Sequence, residues 1–238
     1  MHHFNYVDGR LHCEGVDLDH IADEVGTPVY VYSRATLERH ARVFTEALAD
    51  IPQKLIAFAV KSNPNLAVLK VLQSQGYGAD VVSVGEMRRA LAAGIAPDMI
   101  VFSGVGKTRR EMIEALEAGI GQFNIESEEE GLELAEIAES MGLTADCTLR
   151  INPDVDAGTH DKISTGKADN KFGVPIDQAG QIFGKLASQK GVNLRGVAVH
   201  IGSQLADITP LESAFAKLGE LIAGLRGAGH TITHVDLG

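Results

Sequence analysis

Ile100-Val101-Phe102-Ser103-Gly104-Val105-Gly106-Lys107-Thr108-Arg109-Arg110-Glu111 contains the repeating unit of this chain. The consecutive apolar residues at its start read as a strand buried on both faces, the kind found in a parallel sheet covered by helices. Thr108 followed three residues later by Glu111 reads as a capping box. There the hydroxyl accepts one free backbone N–H of a helix start and the carboxylate reaches back to another. The stretch is therefore a strand followed by a helix start, and the same order recurs on both sides of it. Strands are expected at 54–60, 78–82, 99–103, 122–125, 144–151, 192–200 and 231–237, and the first five begin roughly every 22 residues, the length of one strand plus one helix.

The helix signals agree. Ser127 with Glu130 and Thr209 with Glu212 fit further capping boxes, and Pro210 takes a first-turn position where its missing N–H costs nothing. Leu134, Ile137, Ala138 and Met141 keep helical spacing, as do Phe215, Leu218, Leu221, Ile222 and Leu225. Gly119, Gly142 and Gly227 stand where C-caps are expected. Seven strand-helix units predict an α/β fold. A (β/α)8 barrel is the first expectation and a doubly wound sheet the alternative. An eighth strand is missing after Val235-Asp236-Leu237-Gly238, and a barrel one strand short has two open edges. The chain is therefore expected to be a fragment, truncated after strand seven.

Composition limits the function. The 238 residues carry a net charge of −11, which argues against nucleic acid or anionic membrane as the main partner. An anionic ligand would need a local site of backbone N–H groups and a few side chains. Cys13 and Cys147 fit neither a zinc motif nor a disulfide framework, so a reduced, cytoplasmic setting is expected. No apolar run approaches the ~18 residues needed to span a bilayer, and the first residues lack the pattern of a signal peptide.

Several residues invite chemistry. Lys61 ends the first barrel strand, at the face where barrels carry their sites. Partial desolvation there would favour the neutral amine that attacks an aldehyde; position alone favours an ordinary surface lysine after a strand. His200, Gly202 and Ser203 end strand six, offering an imidazole, a close backbone approach and a hydroxyl. Asp80 and Glu86 flank a strand end and a helix start, where they either tune a lysine or favour the helix dipole. Arg150 lies inside an apolar strand, so either it faces the mouth and pairs with an anion or the strand ends earlier. Residues 153–172, with His160, Lys162, Lys167 and Lys171, lack periodicity and read as a functional loop or lid. Gly104-Val105-Gly106-Lys107-Thr108 imitates a P-loop, but the required earlier glycine is Val101, so nucleotide hydrolysis is not expected. His230 and His234, spaced for one face of a strand, lack a third ligand, and no metal is expected.

Taken in order, Ala59-Val60-Lys61-Ser62-Asn63, Phe102 to Thr108, Arg150-Ile151-Asn152-Pro153-Asp154, Ser164-Thr165-Gly166-Lys167 and His200-Ile201-Gly202-Ser203-Gln204 resemble the diaminopimelate decarboxylase family along the whole chain. The resemblance implies an alanine-racemase-type barrel over 31–238, with residues 1–30 packing against a largely missing C-terminal β domain. It implies pyridoxal 5'-phosphate (PLP) held covalently by Lys61, His200 stacked on its ring, and Ser203 with a glycine run beginning at Gly238 on its phosphate. Asp80, Glu86 and Arg150 would line the site. The implied reaction is decarboxylation of meso-2,6-diaminopimelate, a small amino acid, to lysine by a cytoplasmic homodimer. The related ornithine, arginine or carboxynorspermidine decarboxylases and a non-catalytic PLP-binding barrel are the alternatives. Family segments with further site residues follow the position of Gly238, so little activity is expected of this chain alone.

Overall fold

The computed structural model describes residues 2–155 and 172–238. The chain opens with a small antiparallel meander, β1 (Phe4–Val7), β2 (Arg10–Cys13) and β3 (Val16–Asp17). Asp8 and Gly9 both take positive φ, the geometry of a tight two-residue hairpin. Helix α1 (Leu18–Val25) follows, capped by Asp17, and α2 (Arg34–Ala47) is capped by Ser33. Glu14 Oε1 accepts from Ser33 Oγ and Ala35 N, tying the meander to the start of α2.

Strand and helix then alternate: β4 (Ala57–Ala59), α3 (Leu66–Ser74), β5 (Gly78–Val81), α4 (Val84–Ala92), β6 (Ile100–Phe102), α5 (Arg109–Ala118), β7 (Gln122–Ile125), α6 (Glu128–Ser140) and β8 (Ala145–Asn152). After the short β9 (Val174–Pro175) come α7 (Ala179–Ala187), β10 (Val192–Val199), α8 (Thr209–Gly227) and β11 (His234–Asp236). The sheet order is β4-β5-β6-β7-β8-β10-β11, all parallel, with β9 joined to β8. A doubly wound sheet reverses direction midway; this one does not, so the barrel-type winding is the one adopted.

The sheet is also curled. Asn124 Nδ2 on β7 donates to Asp236 Oδ2 on β11 at 2.8 Å. Three strand spacings separate β7 from β11, roughly 14 Å across a flat sheet, so only curvature brings these side chains together. Outward-facing residues such as Phe102, Phe123, Ile125 and Leu149 pack with Met112, Leu134 and Ile137 of the helices.

Three details depart from the sequence reading. The capping box at Thr108 is complete, whereas Ser127 accepts from Glu130 N while the Glu130 carboxylate turns to Lys107 instead. The box at Thr209 does not form, because α8 has already begun there and Asp207 Oδ1 accepts both Thr209 N and Oγ1. Gly227 closes α8 as its last helical residue, and the left-handed position falls to Gly229, φ 92. The capping roles of Gly119 and Gly142 hold, with φ of 70 and 68.

Candidate functional site

In a parallel array every strand ends at the same rim, so the residues at those ends converge. β5 brings Asp80 there, and β6 is followed by Ser103, β7 by Glu126, β10 by His200 and β11 by Gly238. Lys61 lies in the 3-10 turn Val60–Ser62 that follows β4. The expected desolvation of Lys61 is not seen. A turn, rather than a continued strand, lifts the residue out of the sheet, and it stands exposed.

The inner face of the sheet carries a polar bridge. Ser103 Oγ donates to Asp80 Oδ1 at 2.6 Å, and Asn124 Nδ2 donates to Ser103 Oγ at 3.0 Å as well as to Asp236. Asp236 Oδ1 in turn accepts Gly238 N at 3.0 Å. Gln122 and Thr148 both donate to Asn124 Oδ1, so the buried amide is satisfied on both sides. Sequence reading missed this row, although a signal was present: Gln122-Phe123-Asn124-Ile125-Glu126 alternates polar and apolar, placing three polar residues on the inner face.

Burial sets the electrostatics. It raises the Asp80 pKa to about 6, against the Ser103 hydrogen bond and the charges of Lys61 and Arg150, with Asp236 adding to the rise. Burial likewise lowers the His200 pKa to about 4, helped by the positive charges of Arg150 and Lys61. Lys61 thus acts on both groups through its field. A Cβ on Gly238 would lie 2.6 Å from His200 Nδ1 and 2.7 Å from Val199 O, so only glycine fits beside that ring. Ser203 is exposed just beyond Gly202, whose φ of 142 favours glycine.

Arg150 is buried at 7% exposure and faces the mouth. The anion it needs is Glu126, buried at 4%, whose Oε1 accepts Arg150 Nη1 at 2.7 Å. Its guanidinium also lies 4.9 Å over the Phe172 ring. Glu86 behaves locally: its Oε2 accepts Val82 N at 2.9 Å, satisfying backbone at the start of its own helix.

The P-loop imitation has a structural explanation. Lys107 Nζ donates to Gly104 O, Asn124 O and Glu130 Oε1, each at 2.8 Å, which uses all three of its protons internally. His230 precedes β11 and packs edge-on against Phe183, so it does not share a strand with His234. No group of three or more metal-ligating side chains occurs among the described residues. Of the expected lid, residues 156–171 lie outside the described residues; before them, the Pro153 and Asp154 carbonyls accept Lys217 Nζ. Among the described residues no helix is long and apolar enough to cross a membrane.

A family model described as "Pyridoxal-dependent decarboxylase, pyridoxal binding domain" matches residues 34–238. The chain is 53% identical to the diaminopimelate decarboxylase of Zymomonas mobilis over 99% of its own length, and 49% identical to that of Pseudomonas aeruginosa over 100%. It spans 56% and 57% of those two relatives. Among solved structures, the Helicobacter pylori diaminopimelate decarboxylase complexed with L-lysine superposes with a TM-score of 0.89 at 37% identity, covering 93% of this chain and 56% of that one. The M. jannaschii enzyme with L-lysine gives 0.90 at 36%, covering 98% and 55%.

Proposed function

The chain belongs to the pyridoxal-dependent decarboxylase family, and from that membership we propose that it binds pyridoxal 5'-phosphate through Lys61 and serves the decarboxylation of meso-2,6-diaminopimelate to L-lysine. The observation that carries this reading is the convergence of Lys61, Asp80, Arg150, His200 and Gly238 at one rim of a parallel curled sheet. These residues suit the cofactor. Lys61 and Arg150 bring positive charge to this rim, where both bear on Asp80 and His200, with Arg150 itself paired to Glu126. The His200 ring, neutral at physiological pH, offers an uncharged face to a pyridine ring. Gly238 has no room for a side chain, because His200 Nδ1 and Val199 O stand where a Cβ would go, and this brings the chain after β11 against the His200 ring.

In this reading Lys61 supplies the amine that holds the cofactor. Asp80 faces it as the nearby carboxylate, with Ser103 fixing its orientation. Ser203 and Gly238 take the phosphate, and Arg150 and Glu86 line the mouth. PLP supplies the electron sink that makes loss of CO2 from an amino acid feasible, while the protein orients and places charge. A homodimer working in the cytoplasm is the proposed setting. Residues 1–30 are proposed to pack with a β domain, a role supported by the meander's separation from the barrel sheet and by exposed Tyr6 and Tyr30.

Mass-spectrometric assay with PLP and meso-diaminopimelate, ornithine or arginine tests the substrate. The assay uses residues 1–238 joined to the C-terminal remainder of the 53% identical relative, since the chain spans 56% of that protein; lysine formed from diaminopimelate, with the other two left intact, is the expected result. Preferential turnover of ornithine or arginine would overturn the substrate assignment.

A further inference from the structure

Among the described residues Glu126 is the one buried carboxylate at the rim, and its two oxygens accept three hydrogen bonds. Oε1 accepts Arg150 Nη1 at 2.7 Å and Gly104 N at 2.9 Å; Oε2 accepts Gly173 N at 3.0 Å. These donors belong to three segments: the end of β8, the turn after β6, and the approach to β9. Arg150 carries Phe172 over its guanidinium, beside Gly173. Two oxygens that both accept from N–H groups call for a carboxylate, because a glutamine would turn an NH2 toward at least one N–H.

The charge of Arg150 matters beyond this pair, since it helps hold His200 neutral and opposes the rise at Asp80. The place of that guanidinium therefore bears on both groups alongside burial, the larger cause at each, and the Glu126 carboxylate acts on His200 in the opposite sense. We propose that Glu126 is a positioning residue that fixes the Arg150 guanidinium at the cofactor mouth and ties the turn after β6 and the approach to β9 to it. The inference rests on the reading of this rim as a PLP site.

The test compares wild type, Glu126→Gln, Glu126→Asp, Arg150→Met and the Glu126→Gln/Arg150→Met double variant. One arm maps phenylglyoxal modification of arginines by mass spectrometry, without cofactor. The other titrates PLP by absorbance. Glu126→Gln is expected to speed modification of Arg150 about tenfold and to weaken PLP binding about tenfold, while the exposed Arg34 and Arg88 react as before. Glu126→Asp, which keeps the charge, restores part of both. In the Arg150→Met background, Glu126→Gln changes PLP affinity less than about twofold. Unchanged Arg150 reactivity would overturn the proposal, as would an equal loss of PLP affinity with and without Arg150. A wild type that takes up no PLP sinks the cofactor reading instead, and the phenylglyoxal arm still decides whether Glu126 holds Arg150.

Discussion

Asp80 and His200 respond to burial with opposite signs. The fold holds the Asp80 proton more tightly than the unfolded chain does. Its contribution to stability is therefore full below its ordinary value of 3.8 and is lost as pH rises through about 6. The fold resists protonation of His200. That contribution is full above 6.5 and is lost as pH falls through about 4. Between those limits the two offset each other, and single variants separate them. On moving from pH 7 to pH 5, His200→Asn gains stability relative to wild type and Asp80→Asn loses it, read as urea midpoints. Shifts of the same sign in both variants would contradict the account. The candidates were legible from their neighbours: Lys61 and His200 each end an apolar run, and Asp80 and Arg150 each interrupt one. Glu126 was not, because its value lies in a partner on another strand, and Arg150 pointed only to some unnamed anion. Burial of Lys61 was misjudged for a local reason, the 3-10 turn that begins at Val60.

At the scale of elements, the buried pair of Lys107 and Glu130 links α5's leading turn to α6. Their side chains are 1% and 10% exposed. Burial raises the Glu130 pKa, and Lys107 counters that rise. Lys107→Met leaves a buried carboxylate without its cation and is expected to cost about 3–5 kcal/mol in denaturant unfolding. Adding Glu130→Leu recovers part of the loss; the rest reflects the Gly104 and Asn124 carbonyls that Lys107 also satisfies. A cost under about 0.5 kcal/mol, the range of ordinary surface changes, would mean the pair contributes little. The seven strands of the parallel sheet were legible because apolar runs and capping residues are local signals, whereas the short strands β1, β2, β3 and β9 carry no such run and were not anticipated. Boundaries were less so. The strand expected at 54–60 is confined to Ala57–Ala59, and that at 231–237 to His234–Asp236. The Thr209 box failed because Asp207, two residues earlier, competes for the same N–H.

At the scale of the molecule, the winding could be anticipated from regular strand-helix alternation, but the choice between barrel and doubly wound sheet needed strand order, which no local pattern contains. The curl appears in contacts between distant residues, Asn124 with Asp236 above all. The polar bridge from Asp80 to Gly238 exists only because the sheet curls, and it joins the lysine side of the mouth to the glycine side. The central claim is that this rim is a cofactor site centred on Lys61. Its most direct test is to add PLP to the purified chain, record the visible absorption band, reduce with borohydride and map the labelled peptide. The account predicts a single pyridoxyl label on Lys61, lost in Lys61→Ala. Label scattered over exposed lysines such as Lys54 and Lys70, undiminished by that substitution, would contradict it.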